Sequence, residues 1–168
     1  SFLYNRMIDT FKDKTDFDKF AKNNIAFLTY NYDRSLEHFI YESFCNTFFE
    51  DRIEDQISLA MHNNLIPFPF IHIYGKVDNV RWRGGSDYGD SIDFSRIQKL
   101  SGNIRVIGER TSDEVEQIQR LFVKASRVFI LGFGFAPENI EAIGLKGLLG
   151  ERHAIYATAK GFTEREIK

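Results

Sequence analysis

The chain has 168 residues, enough for one domain with a substantial core, and its 43% hydrophobic and 27% charged residues are ordinary for a globular protein. With 22 Lys and Arg against 24 Asp and Glu, the formal net charge of -2 excludes a general electrostatic pull towards nucleic acid or anionic membrane. A single cysteine, Cys45, excludes an internal disulfide and a multi-thiolate zinc site, and it points to a reducing, cytoplasmic setting.

Residues 5–21 place Met7, Ile8, Phe11, Phe17 and Phe20 among many charges, a surface-helix pattern interrupted near Thr15. Ile25 to Tyr30 predicts a buried strand. Leu36, Phe39, Ile40, Phe44 and Phe48 recur at helical spacing and predict a helix over 33–49, with Cys45 inside it as a buried structural thiol. A further helix is expected at 52–62. Pro67 and Pro69 break the pattern before a strand at Phe70 to Tyr74.

From Gly75 to about Asn103 the sequence is rich in Gly, Ser, Asp and Arg and reads as an irregular insert. Ile104 to Ile107 continues as a strand, and Thr111 with Glu114 forms a capping box that opens a helix through Phe122. Val128 to Leu131 predicts a buried strand running into Gly132-Phe133-Gly134-Phe135-Ala136-Pro137, where Pro137 suits a first helical turn. Gly144, Gly147 and Gly150 read as helix ends and turns, and Ala154 to Ala157 as a last strand. Strands separated by helices argue for a parallel sheet with helices on both faces. The start at Ser1 and the capping-box spacing of Thr163 and Glu166 suggest a fragment of a longer protein. No apolar stretch is long enough to span a bilayer, so no membrane partner is expected.

Three segments can carry chemistry. In Thr29-Tyr30-Asn31-Tyr32-Asp33, Asn31 offers donors and acceptors and Asp33 only acceptors, at a strand-to-helix corner of the kind where open α/β sheets bind ligands. An N-cap at Asp33 and a turn residue at Asn31 explain the same residues without a ligand. In Ile71-His72-Ile73-Tyr74-Gly75, alternation along a strand puts His72 and Tyr74 on one face, and a hydrogen-bonded strand histidine is the plainer reading. In Gly132-Phe133-Gly134, glycines after a strand admit a close ligand, but Pro137 interrupts the full dinucleotide fingerprint and a tight turn serves equally well. Arg81-Trp82-Arg83 offers charge and a π-face for nucleic acid. Without a wider basic surface it reads as an ordinary anchored loop, and nucleic acid is not expected as a partner.

Taken in order, these segments resemble the SIR2-like family, whose members carry Thr-x-Asn-x-Asp at this corner. The form found in bacterial phage-defence members, Thr-x-Asn-Tyr-Asp-Arg followed by Leu-Glu, is similar to Thr29 to Arg34 with Leu36-Glu37. The resemblance implies a Rossmann-like fold, an incomplete domain spanning 1–168 with an insert at about 75–103 in place of the zinc module. It also implies NAD as substrate or ligand, without a metal. Asn31 would take the catalytic asparagine's place at the nicotinamide-ribose end, with Thr29 and Asp33 shaping the pocket. His72 stands where defence members often carry an extra histidine, and Tyr74 where the His-Gly histidine is expected, so both are candidate catalytic positions. Tyrosine is a poor general base at neutral pH. Gly132, Phe133 and Gly134 would line the adenosine side, and Thr158 would touch base or ribose. Arg105 to Glu109 resembles the family's strand ending in Gly-Glu, whereas its Gly-Ala-Gly loop has no counterpart before Ile25.

The resemblance implies binding of NAD or ADP-ribose and NAD hydrolysis of the antiviral-defence type. Its alternative is an inactive nucleotide-sensing or assembly module, and a homo-oligomer is compatible with either.

Overall fold

Phe27-Leu28-Thr29 and Phe70-Ile71-His72 are short β-branched and aromatic runs, and they pair as parallel strands β1 (Phe27–Thr29) and β2 (Phe70–His72). Phe27 lies opposite Phe70, Leu28 opposite Ile71, and Thr29 opposite His72. Parallel neighbours require a crossover, and helix α2 (Ser35–Phe48) lies in the connection. The computed structural model describes residues 2–9, 19–49, 66–86, 88–89, 94–104, 112–159 and 163. The expected helix at 52–62, the strand beyond Ile104, Gly108-Glu109, the cap at Thr111 and Glu166 lie outside the described residues.

The chain divides into two units, Ser1–Arg105 and Val106–Lys168. In the first, the core is aromatic. Phe44 of α2 is fully buried, its ring 4.8 Å from Phe20 and 4.9 Å from Phe48. Phe20 in turn packs edge-on against Phe68 at 5.2 Å. Such pairs add to the area term that makes a buried phenylalanine a large contributor. Helix α1 (Phe2–Ile8) joins this core through Tyr4 and Met7. The Tyr4 hydroxyl donates to the Ser43 carbonyl at 2.9 Å and lies 2.8 Å from the Thr47 hydroxyl, which fixes α1 along α2. Cys45 is buried within α2, as expected.

Three expectations are corrected here. The buried stripe of α2 runs through Glu37, Ile40, Phe44, Cys45 and Phe48, whereas Leu36 and Phe39 are exposed. The strand at 70–74 stops at His72, because the Gly75 amide turns back to the His72 carbonyl at 3.2 Å and Gly75 adopts φ 74°. Tyr74 therefore lies in a turn and does not share a strand face with His72. The insert at 75–103 is also partly regular. It holds a 3-10 turn (Arg81–Arg83) and helix α3 (Phe94–Ser101), and Gly75 bridges Ile104 in antiparallel fashion.

In the second unit, α4 (Ser112–Lys124) precedes β3 (Arg127–Ile130), which pairs in parallel with β4 (Ala154–Ala157). The connection carries α5 (Pro137–Ala142), with Pro137 in its first turn, and α6 (Leu145–Leu148). Gly144 separates the two helices in the left-handed conformation, φ 64°. His153 is buried; its Nδ1 accepts the Gly150 N–H at 3.0 Å and its Nε2–H donates to the Phe122 carbonyl at 2.9 Å, tying the end of α4 to the entry of β4. The strand at 128–131 is not buried as expected. Alternate residues face opposite ways, and Phe129 is 62% exposed, stacked at 5.0 Å on Tyr156. Both units are thus strand–helix–strand arrangements, a mixed α/β structure with two parallel two-stranded sheets. Among the described residues no helix is long and apolar enough to cross a membrane.

The contrast between the two aromatic sites predicts a contrast in stability. Phe44→Ala should destabilise the first unit by about 3–5 kcal/mol in denaturant unfolding, the range for emptying a packed aromatic site. Phe129→Ala should cost about 1 kcal/mol or less, since little of the ring leaves water on folding.

Candidate functional site

The candidate residues near β1 and β2 sit at or just past their carboxyl ends, and the backbone there is closely tied. Thr29, the last residue of β1, accepts the Asn31 N–H at its hydroxyl (3.1 Å) and the Ile73 N–H at its carbonyl (2.7 Å). The Tyr32 carbonyl accepts the Val77 N–H at 2.9 Å. Asp33 stands just before the helix, its Oδ1 accepting the Ser35 N–H two residues on at 2.8 Å, as in an Asx turn. Hydrogen bonds from the Ser35 hydroxyl and amide hold the Asp33 carboxyl below its usual range, more than its slight burial raises it. The N-cap position itself falls to Arg34, which makes no side-chain cap bond, so the expected N-cap at Asp33 is corrected to a turn residue one position earlier.

Asn31 is the centre of this corner. Its carbonyl lies 2.8 Å from His72 Nδ1. With its amide on Thr29 and its carbonyl on His72, the Asn31 peptide is held from both sides. Its side chain is exposed, and its hydrogen bonds to the described residues run through the backbone alone. The side-chain amide is thus left with two donors and an acceptor for a ligand.

Beneath this corner lies a buried charged cluster. His72 Nε2 is 3.3 Å from Glu37 Oε2, and the two side chains are 5% and 1% exposed. Lys76 Nζ approaches Glu37 Oε1 at 3.6 Å, an ion pair without a hydrogen bond, so Oε1 lacks a hydrogen-bond partner. Burial pushes the Glu37 carboxyl upward, but the His72 hydrogen bond, the Lys76 and His72 charges and the Arg83 guanidinium together hold it below its usual range. Both nitrogens of the His72 ring thus face oxygen atoms of the protein, the Asn31 carbonyl and the Glu37 carboxylate.

The insert is fastened to the same helix start. Arg34 donates to the Asn79 carbonyl (2.7 Å) and the Ser86 carbonyl (2.8 Å), and Asp78 Oδ2 accepts the Ser86 hydroxyl at 2.6 Å. Gly85 is required there because a Cβ would overlap the Asn79 carbonyl. Tyr88 stacks on His38 with ring centroids 4.2 Å apart, and its hydroxyl lies 2.9 Å from that of Ser35. Arg83, one of the two arginines considered for nucleic acid, turns inward to the Phe68 carbonyl at 3.1 Å and lies over the Phe70 ring. Tyr74 meets Tyr30 edge-on at 5.7 Å.

In the second unit the candidates again follow strand ends. The Gly132 amide, just past β3, donates to the hydroxyl of Thr158, just past β4, at 2.8 Å. Gly132 has φ 62°, a conformation suited to glycine, and both it and Gly134 face open space where a Cβ would stand. Phe133 and Phe135 pack edge-on at 5.0 Å, and Phe135 holds a positive φ of 52°. A bulky residue there costs on the order of 1–3 kcal/mol. Among the described residues no group of His, Cys, Asp and Glu is placed to hold a metal ion.

Thr29, Asn31 and His72 are therefore brought together directly, with Asp33 at the adjoining helix start, and Gly132 is joined to Thr158. The residue with the largest structural share that the motifs left without a role is Glu37. Its signal was present: it stands three residues before Ile40 and seven before Phe44, on the stripe that is buried. Comparison of the chain with protein-family models, with curated proteins and with solved structures finds no match.

Two outcomes follow from the buried pair. Glu37→Ala leaves Lys76 and the buried His72 ring without their carboxylate partner and should cost about 3–5 kcal/mol in denaturant unfolding at neutral pH. The Glu37 carboxyl is held below its unfolded value. Its stabilisation is therefore present above the ordinary glutamate pKa of about 4.3 and is lost as pH falls through the lower folded value. The stability gap between wild type and Glu37→Gln, followed by thermal unfolding, should accordingly narrow as the pH is lowered below about 4.3.

Proposed function

We propose that this chain is a SIR2-like, Rossmann-type α/β domain that binds NAD or ADP-ribose and supports NAD hydrolysis in the complete protein. One observation carries the reading. Asn31 has its peptide fixed on both sides and its side-chain amide uncommitted among the described residues, beyond the carboxyl ends of two parallel strands, where open α/β sheets take their ligands. The motif order from Thr29 to Thr158 supplies the family.

In NAD hydrolysis, water attacks the ribose carbon that bears nicotinamide. That carbon's bond to the ring nitrogen breaks, nicotinamide leaves with the electron pair, and a proton is released with ADP-ribose. Asn31 orients the water or the ribose hydroxyls through its amide. Thr29 and Asp33 act from behind it, one holding the Asn31 amide and the other the helix start. His72 or Tyr74 borders the reacting centre. By the resemblance, Gly132, Phe133, Gly134 and Thr158 of the second unit are expected to contact nucleotide. The open space at Gly132 and Gly134 is compatible with a closely approaching ligand.

A second reading is a module that binds the nucleotide as a sensor, or assembles with other copies, without turning NAD over. It is favoured by Tyr74 at the expected histidine position and by the engagement of both His72 nitrogens within the protein, which turns neither of them towards a substrate.

NAD turnover by the complete protein separates the two. Asn31→Ala should lower turnover on the order of a hundredfold or more, the loss typical when one preorganised polar group is removed from a reacting centre. Equal, background-level turnover in wild type and variant contradicts the hydrolysis reading and leaves the sensing module.

A further inference from the structure

The corner is held by a side chain that does not reach it. We propose that Glu37 is the positioning residue of the Asn31 corner, acting through His72. The path is continuous: Glu37 Oε2 holds His72 Nε2 at 3.3 Å, and His72 Nδ1 holds the Asn31 carbonyl at 2.8 Å. The two links join the first turn of α2, the end of β2 and the loop after β1, and His72 faces Thr29 in the strand register.

The chemistry of the pair argues for this role over a packing role. A glutamate on a stripe of Ile40, Phe44 and Phe48 is costly, since an apolar side chain would fill the same space without a desolvation penalty. The carboxylate supplies what an apolar group cannot, an acceptor that turns the imidazole so that its other nitrogen points at Asn31. The groups facing Glu37 are all basic: His72, Lys76 and Arg83. Lys76 meets Oε1 while His72 meets Oε2, so the two basic groups take different oxygens and the carboxylate plane is set from both sides. A glutamine at 37 keeps the shape and can donate its amide to Nε2, which leaves Nδ1–H free to hold Asn31; an alanine cannot.

The inference rests on the nucleotide-binding reading only for its activity readout, and two measurements keep the two apart. The first is NMR of this chain without ligand, following the His72 ring nitrogens and the Asn31 backbone and side-chain amides. Glu37→Ala should move both sets of signals and broaden the Asn31 amide, while Glu37→Gln should move the His72 ring signals and leave the Asn31 amide near its wild-type position. Unchanged His72 and Asn31 signals in Glu37→Ala overturn the proposal. If Glu37→Ala does not fold, unchanged His72 ring signals in Glu37→Gln overturn it equally. The second is NAD turnover by the complete protein, where Glu37→Ala should lose on the order of a hundredfold in kcat/KM, as misplacement of a reacting group by about 1 Å does. Glu37→Gln should recover most of that loss. Wild-type turnover in Glu37→Ala, alongside loss in Asn31→Ala, overturns the positioning role and leaves the hydrolysis reading intact. Turnover absent from wild type sinks the hydrolysis reading, and the NMR comparison alone then decides the role of Glu37.

Discussion

A buried carboxylate has to be paired, and in the first unit that requirement organises everything around the candidate site. Glu37 lies almost wholly out of water on the inner face of α2, and its nearest opposite charges come from His72 and Lys76, at and just past the end of β2. Satisfying the carboxylate therefore draws the helix start and the strand end together. Once His72 is so placed, its second nitrogen reaches the Asn31 carbonyl, and the loop after β1 is fixed as well. The aromatic core of Phe20, Phe44 and Phe68 supplies the free energy that makes this burial affordable.

The corner divides its work between backbone and side chain. Backbone groups of Thr29, Asn31 and Tyr32 are consumed internally, by a hydroxyl, a histidine and two amides from residues 73 and 77. The Asn31 side-chain amide is left over, held on a peptide that cannot readily turn. That combination of fixed support and uncommitted polar group is what preorganised binding sites require. The second unit repeats the placement in a simpler form: the Gly132 amide and Thr158 hydroxyl close the ends of β3 and β4 on each other.

Much of this was legible in the sequence, and the exceptions have physical reasons. Helix α2, the parallel strand pairs and the turn at Gly132 followed from periodicity and from glycine and proline placement. The corner at Thr29 to Asp33 was legible because strand and helix patterns abut there. The orientation of α2 was not, because Leu36 and Phe39 fit an apolar stripe as well as Ile40 does. The stripe that faces inward is the one that packs Ile40, Phe44 and Phe48 in the core and pairs Glu37 with His72. Tyr74 could not be placed from alternation, since the strand ends at His72, two residues before it, where the chain turns into Gly75 with its positive φ. The order within residues 75–103 was hidden because Arg34, Asp78 and Ser86 impose it through hydrogen bonds far apart in sequence. Burial of β3 was overestimated because an apolar run does not say whether a neighbour covers both faces.

The central claim is that the Asn31 corner receives a nucleotide. Titrating ADP-ribose into this chain, with calorimetry for binding and NMR for location, tests it most directly. The account predicts saturable binding that shifts the Asn31 side-chain amide and the His72 ring, and that is lost in Asn31→Ala. Absence of binding, or binding that leaves Asn31 unmoved and survives Asn31→Ala, would contradict it.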